Sequence, residues 1–164
     1  MGERGGRAWL FGDDIDTDSL APGLYMKGPI EELARHCLET LDPGFAAGAR
    51  PGDVVVGGRN FGMGSSREQA AEALRHLGIA AVVAKSFAGI FYRNALNLGL
   101  LAVVCAESGR ITAGDRLVLD AAGGRVSNLS TGDSYACEPL PSHLLEMVRD
   151  GGLVPHLEKK LAQR

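Results

Sequence analysis

Three uninterrupted apolar runs, Val54-Val55-Val56, Ile79 to Ala84 and Leu100 to Cys105, limit what this chain can become. Short runs without polar alternation fit strands buried on both faces, and parallel strands need a crossover between them, usually a helix. Between the first two runs, Gly57-Gly58-Arg59-Asn60-Phe61-Gly62-Met63-Gly64-Ser65-Ser66 leads into a helix from about Arg67 to Leu77. Ala70, Ala73, Leu74 and Leu77 form its inner face, and Gly78 suits a left-handed stop. Between the second and third runs, Ser86 stands where a cap belongs for a helix over 87–97, with Phe87, Ile90, Phe91 and Leu98 inward. Residues 53–105 therefore predict α/β units around a partly parallel sheet.

The flanks have a different grain. Arg7 to Phe11 reads as a first strand, running into Gly12-Asp13-Asp14-Ile15-Asp16-Thr17-Asp18. A loop broken by Pro22, Gly23, Gly28 and Pro29 follows. Pro29 can open a helix over 30–41, where Ile30, Leu33, Cys37, Leu38 and Leu41 recur at helical spacing and Pro43 ends the run. Beyond Cys105, Arg116–Asp120, Arg125–Ser130 and Tyr135–Leu140 read as an antiparallel meander, and helices at about 142–150 and 154–162 close the chain. No repeat or linker breaks the pattern. The 164 residues fit one domain, 1–164, since domains mostly run about 100–200 residues.

Charge and composition exclude several classes. The net charge is −3 and the pI near 5.8, so no broad basic field exists for nucleic acid or an anionic membrane. No run of apolar residues is long enough to span a bilayer. Met1 to Arg7 hold no apolar stretch, which predicts no secretory signal and a cytoplasmic chain. Cys37, Cys105 and Cys137 form neither a CxxC pair nor an even framework, and read as small buried hydrophobes. This chain alone is not expected to hold zinc or an iron–sulfur cluster. His36, His76, His143 and His156 read as surface residues.

The 23 glycines, roughly twice the average usage, concentrate chemical interest on residues 57–68. Backbone amides at a helix N-terminus attract anions, and glycine lets a ligand approach the backbone. Ser65, Ser66 and Arg67 sit at that mouth, and arginine can hold a carboxylate bidentately. A phosphate-binding Gly-Lys-Ser/Thr loop is missing, as are the third glycine of GxGxxG and a GxSxG elbow. Two readings stay open on local pattern. One is a capping box with Ser65 as N-cap and Glu68 three residues on; the other is a small-anion site.

Three segments resemble one family. Asn60-Phe61-Gly62-Met63-Gly64-Ser65-Ser66-Arg67-Glu68 is similar to the serine loop of the aconitase superfamily's swivelling domain. Gly12 to Asp18 resembles its GDNIDTD segment, and Lys85-Ser86-Phe87-Ala88-Gly89-Ile90-Phe91-Tyr92-Arg93-Asn94-Ala95 resembles its SFARIFYRNA helix. Order and spacing agree along nearly the whole chain. The likeness is strongest to the small subunits of 3-isopropylmalate dehydratase and homoaconitase-like paralogues. It implies a swivelling β/β/α domain with a mixed sheet, flanking helices and β-rich ends. It also implies a separate large subunit carrying a [4Fe–4S] cluster, with no cofactor on this chain, and a hydro-lyase reaction on a hydroxy-dicarboxylate. By position, Ser65 would be the general base, while Ser66 and Arg67 would place the substrate. Asp18 would be an acid near the site.

Departures from the family pattern bear on the substrate. Tyr25-Met26-Lys27-Gly28 occupies the place of a YLRT or YLRM stretch, so Lys27 stands for an arginine that would read the substrate. Lysine offers a point charge without the planar fork. Met63, Gln69 and Gly89 also replace the usual cysteine, histidine and arginine or aspartate. These changes keep the reaction class and open the choice among isopropylmalate, citramalate, dimethylmalate and homoaconitate-type substrates. A non-catalytic carboxylate-binding module is the alternative from another class.

Overall fold

The computed structural model describes residues 5–163. Met1 to Arg4 and Arg164, on which part of the amino-terminal reading and the ends of the 1–164 assignment fall, lie outside the described residues. Among the described residues, seven strands form one mixed sheet in the order β4-β3-β2-β1-β5-β6-β7. Strands β1 (Gly6–Leu10), β2 (Val54–Val56), β3 (Ala81–Ala84) and β4 (Leu101–Val104) run parallel, with Ala8 beside Val54, Val54 beside Ala81 and Ala81 beside Leu101. β5 (Arg116–Asp120) pairs antiparallel with β1, and β6 (Arg125–Asn128) and β7 (Ser134–Ala136) extend it as the expected meander. Every residue of β2 and β3 is buried. A strand covered on both faces has no use for polar alternation, which is why these segments read as unbroken apolar runs.

Seven α-helices flank the sheet among the described residues: α1 (Thr17–Leu20), α2 (Ile30–Arg35), α3 (Phe45–Gly48), α4 (Gln69–His76), α5 (Gly89–Asn97), α6 (Ser142–Arg149) and α7 (Leu153–Ala162). α4 links β2 to β3 and α5 links β3 to β4, so each parallel step carries a helical crossover. α4 packs on α1, α2 and α5, burying Ala70, Ala71, Ala73 and Leu74. In the meander, buried Asn128 donates through Nδ2 to Asp115 Oδ2 at 2.8 Å, which satisfies two polar groups inside the fold.

Several expectations need correction. The helix from Pro29 stops at Arg35, not at Leu41. Leu38 takes a left-handed φ of 59° and donates its N–H to Ser19 O at 2.8 Å, so the chain folds back on α1; Leu41 is left exposed. Leu38 is wholly buried, and that burial offsets the cost of its backbone conformation. α5 begins at Gly89 with Ala88 as its cap, and Ser86 caps no helix. Ile90 faces outward, on the same exposed face of α5 as Arg93 and Asn97. His156 is not a surface residue: it is buried against Asp150, with Nδ1 2.7 Å from Oδ2.

Candidate functional site

The parallel strands end on one edge, and the three motifs meet there. Past β1, the segment from Gly12 to Asp18 lies against the glycine loop that follows β2. Gly58 N–H donates to Gly12 O at 3.1 Å, Asp14 N–H to Arg59 O at 2.8 Å, Gly62 N–H to Ile15 O at 2.6 Å and Thr17 N–H to Met63 O at 2.8 Å. Past β3, the loop's other side is pinned by Ser86, whose Oγ accepts Asn60 N–H at 2.7 Å and whose carbonyl accepts Phe61 N–H at 3.0 Å. Asn94 of α5 donates through Nδ2 to Ser66 O at 3.3 Å. Thus three segments distant in sequence hold one short loop by its backbone.

The floor of the loop is aromatic. Phe61 is fully buried, with ring centroids 5.3 Å from Phe91 and 6.0 Å from Phe87 in edge-on packing. Gly62 sits on that floor with φ +85°, and a Cβ there would run into the Phe91 ring. Gly64 has φ +114°, and a Cβ there would stand 2.8 Å from Thr17 Oγ1. Both positions need glycine for space as well as for backbone sign.

Above this floor stand the sequence-predicted residues. Ser65 and Ser66 are exposed and Arg67 is half-buried. The Ser65 N–H donates to Thr17 Oγ1 at 3.1 Å, and the two hydroxyl oxygens are 3.3 Å apart. Arg67 Nη1 donates to Asp18 Oδ1 and, at 3.1 Å, to Ala21 O. Both contacts use one nitrogen, so the other edge of the guanidinium fork stays open to an incoming carboxylate. Asp18 is exposed and faces Arg67. Lys27 is exposed in the turn before α2, and no hydrogen bond or ion pair joins it to the serine loop among the described residues.

The capping-box expectation fails on this geometry. α4 starts at Gln69 with Glu68 as its cap, in helical conformation and without a side-chain cap bond. Ser65 lies a further turn upstream and directs its polar groups to Thr17 instead. The amides of Ser66, Arg67 and Glu68 take no backbone acceptor among the described residues, so they stand open beside the positive end of α4. Three residues of this site escaped the sequence reading as site residues: Thr17, Ser86 and Asn94. Each lies inside one of the three motifs, but a hydroxyl or an amide carries no local signal when its partner lies 26 to 48 residues away.

The three cysteines are free thiols, and burial bears on each of them. Burial pushes the Cys37 thiol far up, burial also raises Cys105, and burial lifts Cys137 to about 11. No three His, Cys, Asp or Glu side chains converge among the described residues. Near the loop, burial foremost, and then the charge of Glu138, raise the Tyr92 phenol.

Comparison with known proteins follows the same lines. Residues 49–108 match the aconitase C-terminal domain family. The chain is 47% identical over 156 residues to "3-isopropylmalate dehydratase small subunit 1" of Thermotoga maritima, covering 94% of each chain. It is 46% identical over 160 residues to "Methanogen homoaconitase small subunit" of Methanothermobacter thermautotrophicus, covering 95% of this chain and 91% of that one. The crystal structure of a 3-isopropylmalate dehydratase from Methanocaldococcus jannaschii superposes with a TM-score of 0.90 at 43% identity, covering 98% of this chain and 96% of that one.

Proposed function

The chain belongs to the family of 3-isopropylmalate dehydratase small subunits, and we propose that, joined to a large subunit, it interconverts 2- and 3-isopropylmalate in leucine biosynthesis. The reaction removes water from a hydroxy-dicarboxylate and adds it back at the neighbouring carbon. On this reading residues 1–164 form one swivelling domain that brings half a site to the partner. No helix among the described residues is long and apolar enough to cross a membrane. The three free cysteines favour a reducing compartment, and we place the reaction in the cytoplasm.

The observation that supports the assignment most is the exposed Ser65, held by its backbone two residues from a half-buried Arg67 whose contacts among the described residues use Nη1 alone. Ser65 Oγ, deprotonated, takes the proton alpha to a carboxylate. An unassisted serine alkoxide is far too basic to persist at neutral pH. The open amides ahead of α4 and the guanidinium of Arg67 offset part of that cost. Arg67 holds a substrate carboxylate through its open edge, Ser66 helps place it, and Asp18 orients Arg67. Lys27 reaches the far end of the substrate once the partner closes on it. A [4Fe–4S] cluster on the partner would supply Lewis acidity at the substrate's hydroxyl and carboxylate.

The test is Ser65→Ala in the complex reconstituted with its large subunit. The complex should assemble, and kcat should fall by roughly 10²–10⁴-fold, the usual worth of a positioned general base. Undiminished turnover would remove Ser65 from that role. A second reading rests on Lys27 and Gly28, which stand where the family carries an arginine and a side chain. A relative in Methanocaldococcus jannaschii, 44% identical over 160 residues, is named "Isopropylmalate/citramalate isomerase small subunit". Rates with isopropylmalate, citramalate, dimethylmalate and homocitrate in one panel decide how broad the substrate range is.

A further inference from the structure

We infer that Thr17 is a positioning residue for Ser65: its buried hydroxyl donates to Ser65 Oγ and stabilises that oxygen when it carries charge. The inference rests on the reading of Ser65 as the base. Thr17 opens α1 and is 3% exposed. Its place is fixed through the backbone, since its N–H donates to Met63 O at 2.8 Å and its carbonyl accepts Ala21 N–H at 2.8 Å. Its Oγ1 accepts the Ser65 N–H at 3.1 Å. That bond occupies a lone pair and leaves the one hydroxyl proton to be given away. Among the described residues, Ser65 Oγ, 3.3 Å distant, is the acceptor within hydrogen-bond reach.

The length of that contact matters. At 3.3 Å the oxygens are farther apart than an ordinary hydroxyl–hydroxyl bond, which runs about 2.5–3.0 Å. A bond to a charged oxygen is shorter and roughly twice as strong as a neutral one. The contact is thus weak while Ser65 is neutral and tightens when the proton leaves, which is the differential that lowers a barrier. Burial of Thr17 keeps its hydroxyl in place beside Ser65. The loop is built to this contact: at Gly64 a Cβ would stand 2.8 Å from Thr17 Oγ1, so only a bare backbone lets the loop lie over the hydroxyl.

The experiment compares Thr17→Val, which keeps shape and loses the hydroxyl, with Thr17→Ser, which keeps the hydroxyl, both in the reconstituted complex. Thr17→Val should lower kcat by roughly 10- to 100-fold, the worth of one hydrogen bond to a charged acceptor. KM should stay within about twofold, because Thr17 does not touch substrate. The limb of the kcat–pH profile that reports deprotonation of the base should move upward by about one to two units. Thr17→Ser should restore both. A Thr17→Val enzyme with unchanged kcat, or with reduced kcat and an unshifted profile, would overturn the inference and leave Thr17 a mere anchor. If Thr17→Val does not assemble, Thr17→Ala takes its place, and failure of both would likewise make the role structural. Ser65→Ala run alongside separates the two ideas: activity in that variant defeats the base itself, whereas its inactivity beside a fully active Thr17→Val defeats the inference alone.

Discussion

Arg67 gives one nitrogen to its own chain, and under the proposed function the rest of its fork serves the substrate. Nη1 is shared between Asp18 and the Ala21 carbonyl, which fixes the guanidinium plane before any substrate arrives. Asp18, read from sequence as an acid near the site, would repel a dicarboxylate if it faced one. The structure places it on Arg67, where its charge orients a cation instead. The pair is largely solvated on the Asp18 side, and exposed ion pairs contribute only about 0–1 kcal/mol. Asp18→Asn should therefore leave the melting temperature nearly unchanged while raising KM severalfold in the reconstituted enzyme. Arg67→Lys should raise KM by about tenfold or more, since the bidentate fork is lost and a point charge remains. Kinetics of both variants beside a thermal melt check this. A large loss of stability in Asp18→Asn would mean that the pair holds the fold rather than the substrate.

At the level of elements, the serine loop depends on α5 as much as on its own glycines. Gly62 and Phe91 are matched, because the ring occupies the space a Cβ at 62 would need. Phe91→Ala should cost about 3–5 kcal/mol as a buried aromatic truncation. Gly62→Ala should be destabilising alone, since φ +85° strains an alanine and its methyl meets the ring. In the double variant the ring is gone, so the combined loss should fall short of the sum by about 0.5 kcal/mol or more. Urea midpoints of the four proteins measure the coupling. The α6–α7 corner adds a pH-sensitive element. The hydrogen bond to His156, and then Lys159, hold the Asp150 carboxyl below its ordinary value. A folded value below the unfolded one stabilises at pH above about 4 and stops doing so as pH falls through the folded value. Asp150→Asn should melt lower than the parent at neutral pH, with the gap closing in acid. The central parallel strands were legible because their apolar runs are buried throughout, and the meander because Gly123-Gly124 and Thr131-Gly132-Asp133 punctuate strands of alternating burial. Gly78 stops α4 with a left-handed φ as its sequence predicts, but the end of α2 and the start of α5 were not legible: Leu38 and Ser86 are ruled by long-range bonds to Ser19 and Asn60, which no local pattern contains. The same holds for the site. Ser65 and Arg67 stand out in a glycine-rich motif, whereas Thr17 acquires meaning only when the fold carries it across 48 positions to Ser65.

Taken whole, the molecule gathers its candidate site residues at one edge of the sheet. The motif loops after β1, β2 and β3 meet at the carboxyl ends of the parallel strands, a common place for ligands in open α/β sheets. Yet Ser65 and Ser66 are exposed, and Asp18 and Lys27 lie open to water. Binding at such a surface is weak by simple arithmetic. A dissociation constant of 1 mM requires about −4.1 kcal/mol, and one solvated arginine–carboxylate contact supplies about 0–1 kcal/mol before association entropy is counted. The isolated chain should therefore show no calorimetric heat with isopropylmalate at millimolar concentration, and no turnover. Addition of the large subunit should create both, since closing two surfaces around the substrate strips water from the same arginine and raises the worth of its contacts. This separates the half-site from a self-sufficient carboxylate sensor, which must bind unaided. Micromolar binding to the chain by itself would show that the recognition surface is already complete, and the dependence on a partner would then need a different cause.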